Sequence, residues 1–423
     1  MTTSTKPYDF TNLSRELNAV KEETNASKEV ITAPPITTIP FKQFKHCSIS
    51  TYPKTPSSFF ETSKDVALYH NKQLYSSDDT NLIPQLEPAI AKLANPSCSL
   101  NEARDLKLPY LGSDLYDGYE SFIPMDPDEL DSIEPCFKYI ESWELQNKHD
   151  YQLGNKFTIV SARHHIVEMT MCIFNKRKMD DFILNVTYKG GSNGMLLFSR
   201  DVNKKDDGGI YSKDGVVRKI SYSGFALEDL LTTNKNDHNA DNSDVTLVGG
   251  DKAVFAIIEN KLNDDISLLL RCEMDSYNPV NKCFTEMKCF ARLKMNNHNH
   301  RRKLLKAWVQ TGVIPNSDIL IGIRDPMFGE LNDIEWFSRM NLYRQINNRN
   351  LPEAKLDLNY NAEIAVQWSQ HCIKSICKLV DESIDKTRLN TSQSFQIRIN
   401  ASRAIQIKKL KSVPNNVTMY CKK

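Results

Sequence analysis

The sequence predicts an α/β chain of mixed α+β character: one domain of mixed, largely antiparallel twisted sheets flanked by helices. Three observations carry this. Segments such as Leu268–Asp275, Glu286–Leu293 and Gln393–Asn400 alternate apolar and polar residues with the period of two that strands require. Elsewhere apolar residues recur three or four apart, as Ile364, Trp368, Cys372, Ile376 and Leu379 do, which is a helical stripe. The 423 residues with 40% hydrophobic content suffice for a sizeable core, in one large domain or two.

Charge and cysteine usage exclude some classes. Fifty-four basic residues face 53 acidic ones, so no global basic field exists and any nucleic-acid contact needs a local basic cleft. The 10 cysteines include no CxxC pair, which points to reduced, largely buried thiols rather than a zinc site. No apolar run approaches the roughly 20 residues that span a bilayer. The N-terminus lacks the apolar core of a signal peptide. A soluble intracellular protein with no membrane contact is expected.

Along the chain, residues 1–40 are rich in Thr, Ser, Lys, Glu and Pro and are expected to form a disordered tail. A folded domain is expected over 41–415 and a frayed basic tail over 416–423. Tyr75–Leu82 is a polar turn before helical spacing at Leu86, Ile90 and Leu93. Pro124–Glu144 is acidic and helical. Gly154–Phe174 has a basic-aromatic flavour around Arg163, His164 and His165. Adjacent residues point apart in a helix or strand, and no second His-rich element lies nearby, so the pair is not expected to hold a metal. Arg163 offers a fork of donors suited to phosphate.

Phe182–Phe198 reads as two short strands around Lys189-Gly190-Gly191-Ser192. Asp201–Gly215 and Thr233–Asp244 read as exposed segments. Gly224 is expected to feed a helix with Phe225, Leu227, Leu230 and Leu231 inward. Val254–Ile258 and Ile266–Asp275 supply strands. Arg301–Thr311 is a helix with Leu304, Leu305, Trp308 and Val309 inward, stopped by Gly312 and Pro315. Ile319–Ile323 is a strand buried on both faces.

The chemistry concentrates between Leu268 and Leu293. Two alternating strands flank the turn-rich Ser276–Asn281 and are expected to pair as a hairpin. Leu268, Leu270, Cys272 and Met274 share one face, while Arg271, Glu273 and Asp275 share the other. On the second strand Met287 and Cys289 lie opposite Glu286 and Lys288. Pairing would gather three carboxylates and a lysine on one face. Oxygen ligands of this kind suit Mg²⁺ or Mn²⁺. A neighbouring lysine can orient or help deprotonate water, or stabilise a charged transition state. Acid-x-acid followed by Glu-x-Lys is the pattern of PD-(D/E)xK nucleases. The competing reading is a hairpin with a solvated charged face.

Further motifs at compatible spacing support the first reading. Gly224–Glu228 fits Gly-x-x-x-Glu, Glu273-Met274-Asp275 fits Glu-x-Asp, and Glu286-Met287-Lys288 fits Glu-x-Lys. They precede Lys306-Ala307-Trp308-Val309-Gln310 and Gly322-Ile323-Arg324-Asp325. Together they resemble the DXO family of decapping nucleases, from about Ser76 to Leu410. The resemblance implies a PD-(D/E)xK-like core and a metal-dependent hydrolase acting at RNA 5′ ends. Such enzymes release the cap dinucleotide from incompletely capped RNA. Many also remove NAD-type caps, attack 5′-triphosphate ends or degrade RNA 5′ to 3′. By the same resemblance, Glu228, Asp275, Glu286 and the main-chain carbonyl of Met287 bind Mg²⁺ or Mn²⁺, and Glu273 acts through water. Lys288 and Gln310 hold the scissile phosphate and nucleophile, and Arg163 lies near the RNA 5′ end.

One motif departs. The family has Arg-Gly followed downstream by tryptophan, whereas here Arg163 precedes His164 and Phe182 stands near the tryptophan position. This departure and the N-terminal extension favour the family's cytoplasmic fungal branch over its nuclear, exoribonuclease-bound branch. A monomer acting on the RNA 5′ end is expected. The alternatives are a non-catalytic stabiliser of a 5′–3′ exoribonuclease and a DNA nuclease of the broader superfamily.

Overall fold

Two mixed sheets, nine-stranded and six-stranded, are the frame on which the helices pack. The computed structural model describes residues 55–175, 181–191, 194–201, 208–233, 253–294, 297–347, 361–400 and 402–421. The expected 1–40 tail, the domain start at Phe41, and most of the exposed segments after Asp201 and Thr233 lie outside them.

The strands in chain order are β1 (Thr62–His70), β2 (Gln73–Ser76), β3 (Gln85–Leu86), β4 (Phe157–Ala162), β5 (Phe182–Tyr188), β6 (Met195–Ser199), β7 (Thr232–Thr233) and β8 (Phe255–Lys261). They continue with β9 (Ile266–Glu273), β10 (Ser276–Asn278), β11 (Cys283–Phe290), β12 (Ser317–Arg324), β13 (Leu331–Phe337), β14 (Gln393–Ile399) and β15 (Ile405–Lys409). The main helices are α1 (Leu100–Lys107), α2 (Glu134–Asn147), α3 (Arg163–Met171), α4 (Gly215–Leu231), α5 (His298–Gly312), α6 (Arg339–Ile346), α7 (Ala362–Ser383) and α8 (Asn415–Cys421).

The larger sheet runs β15-β14-β5-β6-β4-β9-β8-β1-β2, and the smaller β13-β12-β11-β10-β3-β7. In the larger sheet only β4–β6 and β4–β9 are parallel. In the smaller sheet β11–β12 and β3–β10 are parallel. The mixed, largely antiparallel expectation therefore holds. The paired strands β5 and β6 also match expectation, and β12 is buried as an interior strand between β11 and β13.

Burial follows from position in these sheets. β9 lies between β4 and β8 and is covered on both faces. Leu268, Leu270 and Cys272 enter the main core with Ile166 of α3, Trp308 of α5 and Trp368 of α7. Leu269 enters a second core with Cys136 and Ile140 of α2. A third core joins Leu227 and Leu231 of α4 to Met287 of β11 and Leu320 of β12. Buried indole N–H groups tie the helices down: Trp368 Nε1 donates to the Met169 carbonyl at 3.1 Å and Trp308 Nε1 to that of Arg339 at 3.2 Å. Each such pairing spares a buried donor the cost of going unmatched.

Three expectations need correction. The segments Leu268–Asp275 and Glu286–Leu293 do not pair with each other. β9 pairs with β4 and β8 in the larger sheet, whereas β11 pairs with β10 and β12 in the smaller. The hairpin is the shorter β10–β11, turning over Pro279–Lys282, where Lys282 takes φ 53°. Period-two alternation marks strands but does not choose their partners. Second, α4 begins at Gly215, not after Gly224: Asp214 Oδ1 accepts the Val216 N–H at 2.8 Å and caps a longer helix. Third, the expected frayed tail over 416–423 is helix α8 as far as Cys421. Its Val417 is buried and Tyr420 stacks on Phe137 with centroids 4.3 Å apart. These apolar contacts outweigh the basic residues, of which Lys422 and Lys423 are outside the described residues.

Candidate active site

The site forms where the chain leaves one sheet for the other. β9 ends at Glu273, Met274 and Asp275 cross the gap, and Ser276 opens β10. Asp275 closes this crossing onto β11: its Oδ2 accepts the Met287 N–H at 2.8 Å and lies 3.4 Å from Lys288 Nζ. Alternation along β11 turns Met287 into the third core and Glu286 and Lys288 to the opposite face.

Glu286 is the hub. Its Oε2 lies 2.6 Å from Arg163 Nη1, and its Oε1 lies 2.6 Å from Lys288 Nζ. Lys288 Nζ also donates to the Met287 carbonyl at 2.7 Å. Arg163 arrives from the first residue of α3, immediately after β4, whose parallel neighbour is β9. The sheet thus delivers Arg163 and the end of β9 to the same edge.

The electrostatics show which carboxylates interact. Burial, then the Asp275 charge, raises the Glu228 carboxyl well above its usual range, with Glu273 and Glu286 adding to the effect. Burial and the Glu286 charge raise Asp275 to about 6, against Lys288 and Arg163. Burial also opposes the charge on Glu286, but Arg163 and Lys288 outweigh it and hold this carboxyl down at about 2. Burial opposes the charge on Lys288 too, yet Glu286 and Asp275 keep the ammonium above its usual value. Lys288 is therefore protonated at neutral pH and available as a donor, not as a base.

This donor set fits a divalent cation. Four carboxylates, Glu228, Glu273, Asp275 and Glu286, act on one another against two cations, Arg163 and Lys288. Two negative charges remain unmatched, and the raised Glu228 and Asp275 carboxyls express that shortfall. The atoms on offer are oxygens, as Mg²⁺ and Mn²⁺ prefer.

The sequence-selected residues divide accordingly. Glu228, Glu273, Asp275, Glu286, Met287, Lys288 and Arg163 come together from α4, β9, the crossing, β11 and α3. Gln310 lies half-buried near the end of α5 and makes no hydrogen bond to the cluster among the described residues. Its helix packs along β11, where Lys303 Nζ sits 5.3 Å from the Phe290 ring centroid. Phe182 is buried in the main core. The premise behind the histidine expectation, that the two side chains diverge, does not hold. His164 and His165 do not point apart: both Nε2 atoms face Asp131 Oδ1, at 2.7 and 3.4 Å, from the first turn of α3. Asp131 itself was not foreseen, since nothing in the acidic stretch around it distinguishes it from its neighbours.

Comparison with known proteins identifies the family and the fold. Residues 73–419 match the model of the RAI1-like PD-(D/E)XK nuclease family. The chain is 46% identical over 392 residues to decapping and exoribonuclease protein 1 of Saccharomyces cerevisiae, covering 92% of this chain and 86% of the relative. It superposes on crystalline Kluyveromyces lactis Dxo1 in complex with manganese with a TM-score of 0.63, at 24% identity, covering 88% of this chain and 96% of that one. For Candida albicans Rai1 in complex with pU5 and Mn²⁺ the TM-score is 0.59, at 15% identity, with 86% and 93% covered. A nuclease-type carboxylate cluster, a mixed two-sheet frame and a family match over most of the chain coincide: the chain belongs to the RAI1-like PD-(D/E)XK nucleases.

Proposed function

We propose that this chain is a divalent-metal-dependent RNA 5′-end hydrolase. It removes incomplete or aberrant caps by releasing the cap dinucleotide, and it degrades RNA 5′ to 3′. The observation that carries this reading is the convergence of Glu228, Asp275 and Glu286, from three separate elements, around Lys288. Its 46% identity to a decapping and exoribonuclease protein supports the substrate class.

In this reading Glu228, Asp275, Glu286 and the Met287 carbonyl hold Mg²⁺ or Mn²⁺, and Glu273 acts through a water. A bound divalent ion activates water and neutralises charge on the leaving oxygen. Asp275 is held in place by the Met287 N–H. Lys288, kept protonated, donates to a non-bridging oxygen of the scissile phosphate as charge develops there. Arg163, tethered through Nη1 to Glu286, presents its cationic fork beside the phosphate near the RNA 5′ end. Gln310 positions the nucleophile from α5. Holding these groups before substrate arrives removes reorganisation cost from the chemical step.

The protein acts as a monomer in the cytoplasm and does not depend on a bound exoribonuclease. The intact acidic set favours catalysis over a purely stabilising role. The test is a panel of 5′-labelled RNAs bearing methylated cap, unmethylated cap, NAD, triphosphate or monophosphate ends, with a matched DNA. Release of cap dinucleotide from the unmethylated cap by the isolated monomeric protein is expected. Turnover of DNA alone, or none without an added exoribonuclease, contradicts the reading.

A further inference from the structure

Beside the carboxylate centre lies a second group of ligating side chains that the nuclease chemistry does not use. Asp131, His164 and His165 bring one oxygen and two ring nitrogens within 4.8 Å of one another. Asp131 and His165 are almost wholly buried, whereas His164 reaches the surface.

Ser161 and Asp131 supply the polar contacts of the buried His165 ring. The Ser161 hydroxyl donates to the Ala162 carbonyl at 3.0 Å. Its oxygen is then left to accept from His165 Nδ1, 3.3 Å away. That places the proton of a neutral His165 on Nδ1 and the lone pair on Nε2. In this tautomer Nε2 faces Asp131 Oδ1 across 3.4 Å, acceptor against acceptor, a buried nitrogen without a well-formed hydrogen bond. A buried nitrogen so arranged is matched by a cation lying between the two atoms.

The carrier loop is also built to stay in place. Arg271, buried in β9, donates to the main-chain carbonyls of Glu129, Leu130 and Ser132 at 2.6–2.9 Å, on both sides of Asp131. Asp131 Oδ2 pairs with Arg200 Nε, leaving Oδ1 to the histidines. Arg200 is shared with Asp128, 3.1 Å from its Nη2, so its charge is not directed at the pocket alone. Outer partners of this kind commonly orient metal-binding side chains.

We propose that Asp131 Oδ1, His164 Nε2 and His165 Nε2 bind one transition-metal ion of the Zn²⁺ type, with a fourth position open to water. Tetrahedral bonds of about 2.0–2.1 Å separate neighbouring ligand atoms by roughly 3.3 Å, close to the 3.4 Å between Asp131 Oδ1 and His165 Nε2, whereas His164 Nε2, hydrogen-bonded to Oδ1 at 2.7 Å, must give up that bond and draw back by about 0.6 Å to admit the ion. Two imidazoles and one carboxylate select Zn²⁺, Co²⁺ or Ni²⁺ over the Mg²⁺ and Mn²⁺ suited to the all-oxygen centre. The two centres are thus chemically distinct. An ion here fixes the first turn of α3, from which Arg163 reaches Glu286.

The test uses Co²⁺ as the probe on the full-length chain, stripped with EDTA, in a Glu228→Gln/Asp275→Asn background that disables the oxygen centre. One equivalent of Co²⁺ should give the visible absorption of a tetrahedral complex, which Zn²⁺ bleaches and excess Mg²⁺ does not. His164→Gln, at the partly exposed member, should weaken Co²⁺ binding by more than the roughly 10–100-fold that loss of an outer partner costs. Circular dichroism of this variant should match its parent. As a second readout, Zn²⁺ should raise the Tm of the parent but not of His164→Gln. Absence of tetrahedral Co²⁺ in the folded parent overturns the proposal. So does uptake, or a Zn²⁺-induced Tm shift, that His164→Gln and His165→Ala leave unchanged.

Discussion

Arg163 Nη1 and Glu286 Oε2 lie 2.6 Å apart, both side chains largely shielded from water, and this contact joins the first turn of α3 to β11 across the two sheets. Removing one partner of a buried pair leaves the other charge uncompensated, at a cost of about 3–5 kcal/mol. Arg163→Met should lower unfolding free energy by about that amount, less whatever Lys288 recovers by its own contact with Glu286. Urea melts of Arg163→Met, Glu286→Gln and the double variant should show a double-variant loss well below the sum of the singles. Additive losses would mean that the pair does not interact in solution.

Lys288 should matter for rate far more than for folding. Its ammonium contacts Glu286 Oε1 and the Met287 carbonyl yet remains partly exposed. Lys288→Met should reduce single-turnover cap release by about 10²–10³-fold, the range for loss of one preorganised donor. The RNA Kd should change much less, because a single phosphate contact is lost among many. A parallel fall in both would place Lys288 in ground-state binding.

The Asp275 carboxyl gives a pH signature in the metal-free protein. Its folded pKa, about 6, lies above the unfolded value near 3.8. The folded state therefore holds the proton more tightly, and the stability this provides is present below pH 4 and is lost as pH rises through about 6. Glu286 has the opposite sign: its folded value of about 2 supplies stability above pH 4.5 that disappears as pH falls towards 2. In EDTA, the difference in stability between parent and Asp275→Asn should change by on the order of 1–3 kcal/mol between pH 4 and 7, with the parent losing ground. Mn²⁺ at pH 7 should restore it. A flat difference would show that Asp275 ionises freely.

Gly322 controls the seat of α4. A Cβ at this β12 position would lie 2.6 and 2.7 Å from the two methyl carbons of Leu227, which is fully buried and adjoins Glu228. Gly322→Ala should cost about 1–3 kcal/mol through overpacking and should weaken Mn²⁺ binding by displacing Glu228. Adding Leu227→Ala should recover part of the metal affinity in calorimetric titration. No recovery would mean that α4 is not the element displaced.

The strands, the principal helices and most of the carboxylate set were legible because periodicity and short motifs are local. Glu286 and Lys288 stand two apart on one strand face, and Glu228 lies in an amphipathic helix. What was not legible depends on pairing at a distance. The same alternation that marks β9 and β11 is compatible with a hairpin between them, and only the sharp crossing at Met274–Asp275 sends them to different sheets. Arg271 reads as a residue of a charged face, but it is buried because three loop carbonyls wait for it. The Arg163–Glu286 contact spans 123 residues of sequence, and no local pattern announces it. His164 and His165 both meet Asp131, which arrives from a segment more than 30 residues away in sequence.

The central claim is that the carboxylates around Lys288 form the metal-dependent hydrolytic centre. It is tested most directly by release of cap dinucleotide from 5′-labelled, incompletely capped RNA. The parent should release it with Mn²⁺ or Mg²⁺ and stop in EDTA, and folded Glu273→Ala/Asp275→Ala should release none with either metal. Full release by that variant, or by the parent in EDTA, would contradict the account.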